Sequence, residues 1–358
     1  MKIYEKILFK SLLVNIFYSA LVLLIIFGVF KLIDEVAHIG PPDYTFGSVI
    51  VYTLFNFPDI LLQTLNLSIL IGVCVTVAGM NENSEIIALN SASVSKTLFA
   101  FKVIKYSVMI CILTIIILEF TSPTLLKIGE RYKSVNLGSQ NSLIGEENIW
   151  LRSGNKFLSI GRNINGQRLE NLNIIEANNG QIESITSAKK AEVKKSQIQL
   201  FDVKKKFFIQ TNNLTKIVEG STKNESNQQA FFVDEFGSIK PDPRKLSLFE
   251  LISKTIYQIN NGMESRSFKI ELYSRIFQPI NLISILLLTI PMLFKNYRSR
   301  DLQKKLLIAI STGIAFNLLS KIFSVVATKI DSGVILSSLA PAIIFFVIGL
   351  ILFRKKVL

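Results

Sequence analysis

Six stretches of this chain are long and apolar enough to cross a lipid bilayer, and that constrains everything else about it. Residues 11–30 make the first, about 20 residues with a single strongly polar interior residue, Asn15. The run is too long for a cleaved signal peptide, charged residues follow it, and no small-residue cleavage site appears. Residues 49–80 form a second apolar region, interrupted at Pro58, with Asn56, Asp59 and Gln63 clustered beside the proline. It reads as an interfacial lead-in and then a span over 60–80. A broken segment lining a cavity and a kinked helix in protein contact both fit the polar cluster. Residues 103–120 make the third span, closed by Glu119 and Pro123. Spans over 272–294, 306–327 and 334–353 complete the set. With 49% hydrophobic residues and 26 phenylalanines among 358, the chain is too apolar for a soluble domain of its length.

Between the third and fourth spans the character changes. Here lie the only tryptophan, Trp150, and short alternating runs at 149–151, 157–160, 172–175, 198–203 and 207–211. Turn pairs at Ser153-Gly154, Asn165-Gly166 and Asn179-Gly180 separate several of them, which predicts an all-β sandwich or jelly roll. Residues 247–260 then read as an amphipathic helix with Leu248, Leu251, Ile252 and Ile256 on one face. The chain divides into 1–126 (spans one to three), 127–246 (the β domain) and 247–358 (lead-in helix and spans four to six).

The net charge of +14 suits inner-face anchoring or anionic lipid before it suits nucleic acid, since no basic patch is interleaved with aromatics. Lys2, Lys6, Lys10, Lys96, Lys102, Lys105, Lys295, Arg298, Arg300, Lys304, Lys305, Arg354, Lys355 and Lys356 all fall on one side of the spans. The short loops on the other side hold only Lys31 and Lys329. The positive-inside rule therefore places both termini in the cytoplasm and the β domain outside. On that inner side, a polar island at 81–102 holds a short helix that Asn83 or Ser84 can cap. Glu85 lies in its first turn and Ile86, Ile87 and Leu89 form its apolar face. Such a helix suits docking of a soluble partner, or rest on the lipid surface.

Chemistry is sparse. No Walker A loop, nucleophile elbow or metal-ligand cluster appears, so no catalysis, cofactor or metal is expected of this chain. Cys74 and Cys111 lie inside apolar runs, and His38 is the single histidine. What remains is charge at membrane depth: Lys31 with Asp34, Arg275, and the Arg131-Tyr132-Lys133 cluster, all near one outer level. Cations gathered there suit phosphate groups. Lys31 can equally snorkel and pair with Asp34 as a plain anchor.

These segments, in order, resemble the LptF/LptG permeases, membrane subunits of the lipopolysaccharide-export ABC transporter. Asn83-Ser-Glu85-Ile-Ile-Ala-Leu89 and its serine-rich link are similar to the family's cytoplasmic coupling helix, here about 82–92. Phe30-Lys31-Leu-Ile-Asp34 resembles the end of the first span, and Tyr52-Thr-Leu-Phe-Asn-Phe-Pro58 the lead into the second. Glu119-Phe-Thr-Ser-Pro123 resembles the end of the third span. Ser247-Leu-Phe-Glu-Leu251 and Glu271-Leu-Tyr-Ser-Arg275-Ile-Phe-Gln-Pro279 resemble the entrance to the fourth. No single motif is specific, but the ordered set is, and Lys31-x-x-Asp34 favours the LptG type.

The resemblance implies six transmembrane helices, three plus three, with an inserted periplasmic all-β jellyroll-like domain, in the bacterial inner membrane. It implies pairing with an LptF-type permease, an LptB-type ATPase dimer that binds ATP and Mg, an LptC-type periplasmic partner, and lipopolysaccharide as cargo. Lys31 matches a first-span lysine that faces lipid A phosphate, and Asp34 and Arg275 fall at the same level. Lys133 matches an arginine position, keeping the charge without the bidentate fork. Ser84, Glu85, Ile86 and Leu89 match the ATPase-contacting helix. Two departures stand out: Ala37 and His38 sit where some relatives carry lysines, and Ser93 replaces the usual glycine after the coupling helix.

Two other readings compete. One is the sister LptF-type subunit; the other is a membrane-anchored sensor with an external β domain. A sensor carries a sizeable cytoplasmic output domain, whereas every cytoplasmic segment here is short. A mechanotransmission permease would carry its external domain after the first span, not the third.

Overall fold

The computed structural model describes residues 3–40, 43–137, 149–153, 155–164, 168–178, 181–194, 197–211, 214–227, 242–261, 265–294, 302–329 and 333–356. The three turn pairs, Lys2 and the basic residues Lys295, Arg298 and Arg300 fall partly or wholly outside these. The first half of the bundle comprises α1 (Ile3–Val36), α2 (Phe46–Phe55), α3 (Phe57–Glu82), α4 (Glu85–Ser91) and α5 (Lys96–Asn136). Six strands follow: β1 (Ile149–Ser153), β2 (Lys156–Ile164), β3 (Arg168–Asn178), β4 (Gln181–Lys194), β5 (Gln197–Thr211) and β6 (Leu214–Asn227). A 3-10 turn (Pro243–Lys245) then leads into α6 (Leu248–Asn260), α7 (Arg266–Ile276), α8 (Gln278–Phe294), α9 (Leu302–Lys329) and α10 (Val334–Lys356).

Among the described residues five helices are long and apolar enough to cross a membrane, and six if α7 and α8 count as one span. Those two are bent by 54°. The cause is Pro279 in the first turn of α8, because proline disfavours helical backbone in the residue before it and lacks an N–H. Pro58 breaks α2 from α3 at Asn56 in the same way. Pro123 does not end the third span, contrary to expectation: α5 runs through it for 41 residues, about 60 Å at 1.5 Å per residue. Skipping one backbone hydrogen bond is cheaper than stopping, which would release four carbonyls at once. Residues 127–136, assigned from sequence to the β domain, are therefore helix.

Helix α3 is the centre of the bundle. Leu65, Ile69, Leu70, Val73 and Val77 pack against Leu8, Leu12 and Ile16 of α1, Phe99 and Val103 of α5, and Leu282, Leu286 and Ile290 of α8. Asn15, the polar residue of the first apolar run, faces inward and donates to Thr76 Oγ1 at 2.9 Å. Small residues allow the closest approaches. A Cβ on Gly72 would lie 2.6 Å from Ile16 Cα, and one on Gly349 would lie 2.9 Å from the Leu288 nitrogen.

The described strands form one antiparallel sheet in sequence order. Its register lines up Ile160, Leu172, Ala188 and Val203 across four strands, with Leu158 and Ile174 beside them on the same face. That row is the buried core of the sheet domain.

The close α1–α3 approach has a direct test. Gly72→Ala is expected to lower the thermal midpoint in detergent by about 5 °C, the scale of an overpacked core contact. Gly79→Ala, on the same helix with nothing within 4 Å of the new Cβ, is expected to hold or raise it. Fluorescence-detected size-exclusion thermal scans of both variants measure the difference.

Candidate functional site

At the end of the bundle that holds the last turns of α1 and the first turns of α3, the helices line a cavity of about 640 Å³. The mouth is charged. Lys31 and Asp34 come from the end of α1, Asp59 from the first turn of α3, Arg244 from the 3-10 turn, and Glu271 and Arg275 from α7. Phe27, Ile60, Leu67 and Phe316 add apolar walls, and Asn66, Asn281, Asn317 and Ser320 add uncharged polar lining. Lys321 of α9 also lines it. Asp59 accepts a hydrogen bond from Gln63 Nε2 at 2.7 Å, so the polar residues beside Pro58 do line a cavity.

Lys31 does not pair with Asp34. Among the described residues it has no carboxylate partner, and its ammonium sits 5.8 Å from the centroid of the Tyr52 ring. Lys133 lies 5.0 Å from the centroid of the same ring. It is committed to Glu35, a carboxylate only 3% exposed that also accepts from Tyr44 Oη at 2.8 Å. Tyr52 in turn donates to Glu130 at 3.1 Å, and Lys245 pairs with Glu130 at 2.6 Å. This chain of contacts joins α1, α2, α5 and the turn before α6. A brace is what Lys133 makes.

Arg275 is a second brace. Its side chain is buried; Nε donates to Glu271 at 2.9 Å, and its terminal nitrogens donate to the carbonyls of Leu246 (2.7 Å) and Arg244 (2.6 Å). Glu119 sits 3.3 Å from the same guanidinium and accepts from the Leu248 N–H at 2.5 Å. Glu119, which in the sequence only marks the end of a span, thus holds both the fork and the start of α6. A capping box of Ser247 and Glu250 completes that start. Burial works to raise the Glu250 carboxyl, but the Lys127 ammonium and the Ser247 N–H outweigh it and hold it below the usual carboxylate range.

At the opposite end of the bundle, α4 joins α3 to α5. Ile86 is 4% exposed and packs into the main core, Leu89 packs against that core, and Ile87 faces outward at 54%. The single apolar face expected of this helix is thus split. Ser84 takes the N-cap position without capping: its φ of 59° turns the side chain away, while Asn83 reaches Glu85 Oε1 at 3.4 Å. Ser93, in the link after α4, has φ 64°, the left-handed region that glycine enters without strain. Nearby, Glu5 of α1 pairs with Lys102 at 2.9 Å and accepts from Tyr106 Oη at 3.1 Å.

Of the residues singled out in the sequence, the cavity gathers Lys31, Asp34 and Arg275; it leaves Lys133 in the brace beside it and places the α4 residues at the far end. Arg244, Lys321, Glu35, Asn66, Asn281 and Asn317 were not foreseen. Their roles arise from neighbours distant in sequence, and no motif marks them.

Together these features define a multi-pass membrane protein with an inserted β domain and a cavity among its spans. The family described as "Lipopolysaccharide export system permease LptF/LptG" matches residues 6–355, and the chain belongs to it. The Lipopolysaccharide export system permease protein LptG of Escherichia coli (strain K12) is 23% identical over 355 residues, 97% of this chain and 96% of that protein. LptG of Haemophilus influenzae is 21% identical over 357 residues, 97% of each chain.

If Arg275 is a brace, Arg275→Lys keeps the charge but loses the fork. About 3 kcal/mol of stability is expected to go with it, as for a broken buried pair. Lys31→Ala is expected to leave the thermal midpoint within about 1 °C, as for a surface substitution. Ser93→Gly is expected to raise it by relieving left-handed strain of about 1 kcal/mol. Parallel thermal scans of the three variants check all of this.

Proposed function

We propose that this chain is the LptG-type permease subunit of a lipopolysaccharide exporter in the bacterial inner membrane. It pairs with an LptF-type permease, and an LptB-type ATPase dimer, which binds ATP and Mg, docks on α4. An LptC-type partner receives the lipid beyond the sheet domain. The observation that carries this reading is the cavity: charged groups beside apolar walls suit an anionic amphiphile.

Within it, Lys31 is the cation best placed for a phosphate, with Arg244 and Lys321 at the same cavity. Arg275 and Lys133 act by holding the helices that frame the mouth. Asp34 and Asp59 offset the cations, which favours binding that can be released. The energy has to come from another chain, since this one has no nucleotide motif. A push on α4 reaches α1, α3 and α5 through Ile86, which packs in the core they share. Charge bias supports a cytoplasmic α4 and a periplasmic sheet. The curated relatives carry the LptG name, which favours that type over its LptF sister.

Glu85→Lys is expected to abolish co-purification of the ATPase while leaving membrane insertion intact; wild-type recovery of the ATPase would remove the coupling role. Lys31→Asp is expected to reduce photo-crosslinking to lipopolysaccharide at least tenfold, the scale of one lost charge-assisted contact. Undiminished crosslinking would return Lys31 to a simple anchor.

A further inference from the structure

The lead-in helix α6 carries an apolar stripe that the bundle does not use. Its inner side is spent on packing, where Leu251 joins Leu246, Phe268 and Leu272 in a small core against α7. Phe249 (86% exposed), Ile252, Ile256 and Ile259 remain outside. Spacings of three, four and three residues put these four on one face of the helix. The single apolar face expected from the sequence is therefore divided, with one part turned to α7 and the other away from the protein. At 13 residues, about 20 Å, α6 is too short to cross a bilayer.

The exposed face of α5 marks the level at which α6 begins. Leu113, Ile116 and Phe120 (76% exposed) make that face apolar, and Thr124 and Lys127 continue it as a polar one. The change falls within a turn of Glu119, the residue that accepts the Leu248 N–H at 2.5 Å. The first turn of α6 is thus tied to the boundary where the lipid-length apolar surface ends. A second contact sets which way the helix faces. Glu250 pairs with Lys127, which lies about two turns farther out along α5 than Phe120. The Glu250 side of α6 therefore points away from the membrane. Ile252 and Ile259, two and nine residues on, stand nearly opposite Glu250 at 100° per residue. The stripe is turned toward the bilayer.

We infer that α6 is an interfacial helix, seated on the bilayer surface with Phe249, Ile252, Ile256 and Ile259 in the boundary between headgroups and acyl chains. Lipid is favoured over a protein partner because the stripe sits at the edge of the apolar surface of α5 and has no charge or hydrogen-bonding group along it. The inference concerns lipid as solvent and is independent of what the cavity holds. Its consequence is mechanical. The Arg275 fork and the Ser247–Glu250 capping box adjoin the start of the seated helix, so the chain returns from the sheet at a fixed height in the membrane. The cavity mouth that Arg275 helps to frame is held at the same height.

The test places nitroxide labels on single cysteines at 249, 252 and 256 of the full-length chain, purified with its co-expressed partner subunits in phospholipid nanodiscs. Cys74 and Cys111, both buried, are replaced by alanine, and partner cysteines are removed. Asn178, exposed on the sheet, supplies the aqueous reference. Each label is read for collision with dissolved oxygen, which partitions into the bilayer, and with a nickel chelate, which stays in water. Co-purification with the partner subunits establishes that each labelled chain is folded. The ratio of oxygen to nickel collision is expected to be several-fold higher at 249, 252 and 256 than at 178. A ratio at these three positions equal to that at 178 would mean that the stripe stands in water. Low collision with both reagents would mean that protein covers it. Either result overturns the inference.

Discussion

A buried guanidinium is tolerated only where its donors are satisfied, and Arg275 satisfies them by tying together segments from both halves of the chain. Glu119 belongs to α5, ahead of the sheet; Arg244, Leu246 and Glu271 come after it. Because the inserted domain separates these segments in sequence, the fork is what returns the chain to the bundle in register. Glu119 then fixes the first turn of α6, and Arg275 itself forms part of the cavity mouth. The Glu35–Lys133 pair does the corresponding work between α1 and α5. Both braces lie at the level where the apolar runs end, so the rim of the cavity is rigid while the helices below are held mainly by packing.

That division suits a transporter subunit. The far end carries α4, a seven-residue helix with one side chain in the core and others free for a partner. Helix α5 is a continuous rod from the α4 end of the bundle to the Glu119 and Lys133 braces, which makes movement at one end mechanically legible at the other. Among the described residues Lys31 has no carboxylate partner and lies against the Tyr52 ring instead.

The apolar runs, the inserted β domain and the polar helix between the second and third spans were all legible in the sequence, because bilayer length and strand alternation leave direct marks. Pro58 was read correctly as a break, whereas Pro123 was read as one and is not. The difference lies in context: Pro58 sits beside an asparagine at the start of a helix, while Pro123 lies inside a helix whose interruption would orphan four carbonyls. Pro279 bends the fourth span although the sequence reads it as continuous. The cations were found by their level in the membrane, but level does not reveal a partner. Lys133 and Arg275 look like Lys31 in sequence and are distinguished only by Glu35 and Glu119, residues that tertiary packing brings to them.

In the proposed arrangement the cavity mouth and the sheet face one side of the membrane and α4 the other, so that energy applied at α4 acts on cargo at the far end. Single cysteines at Asn83 and Asn178 report this directly with a membrane-impermeant maleimide, since both positions are exposed and the native Cys74 and Cys111 are buried. In cells with a permeabilised outer membrane, the account predicts labelling at 178 and none at 83 until the inner membrane is broken open. Labelling of both positions from the same side would contradict it.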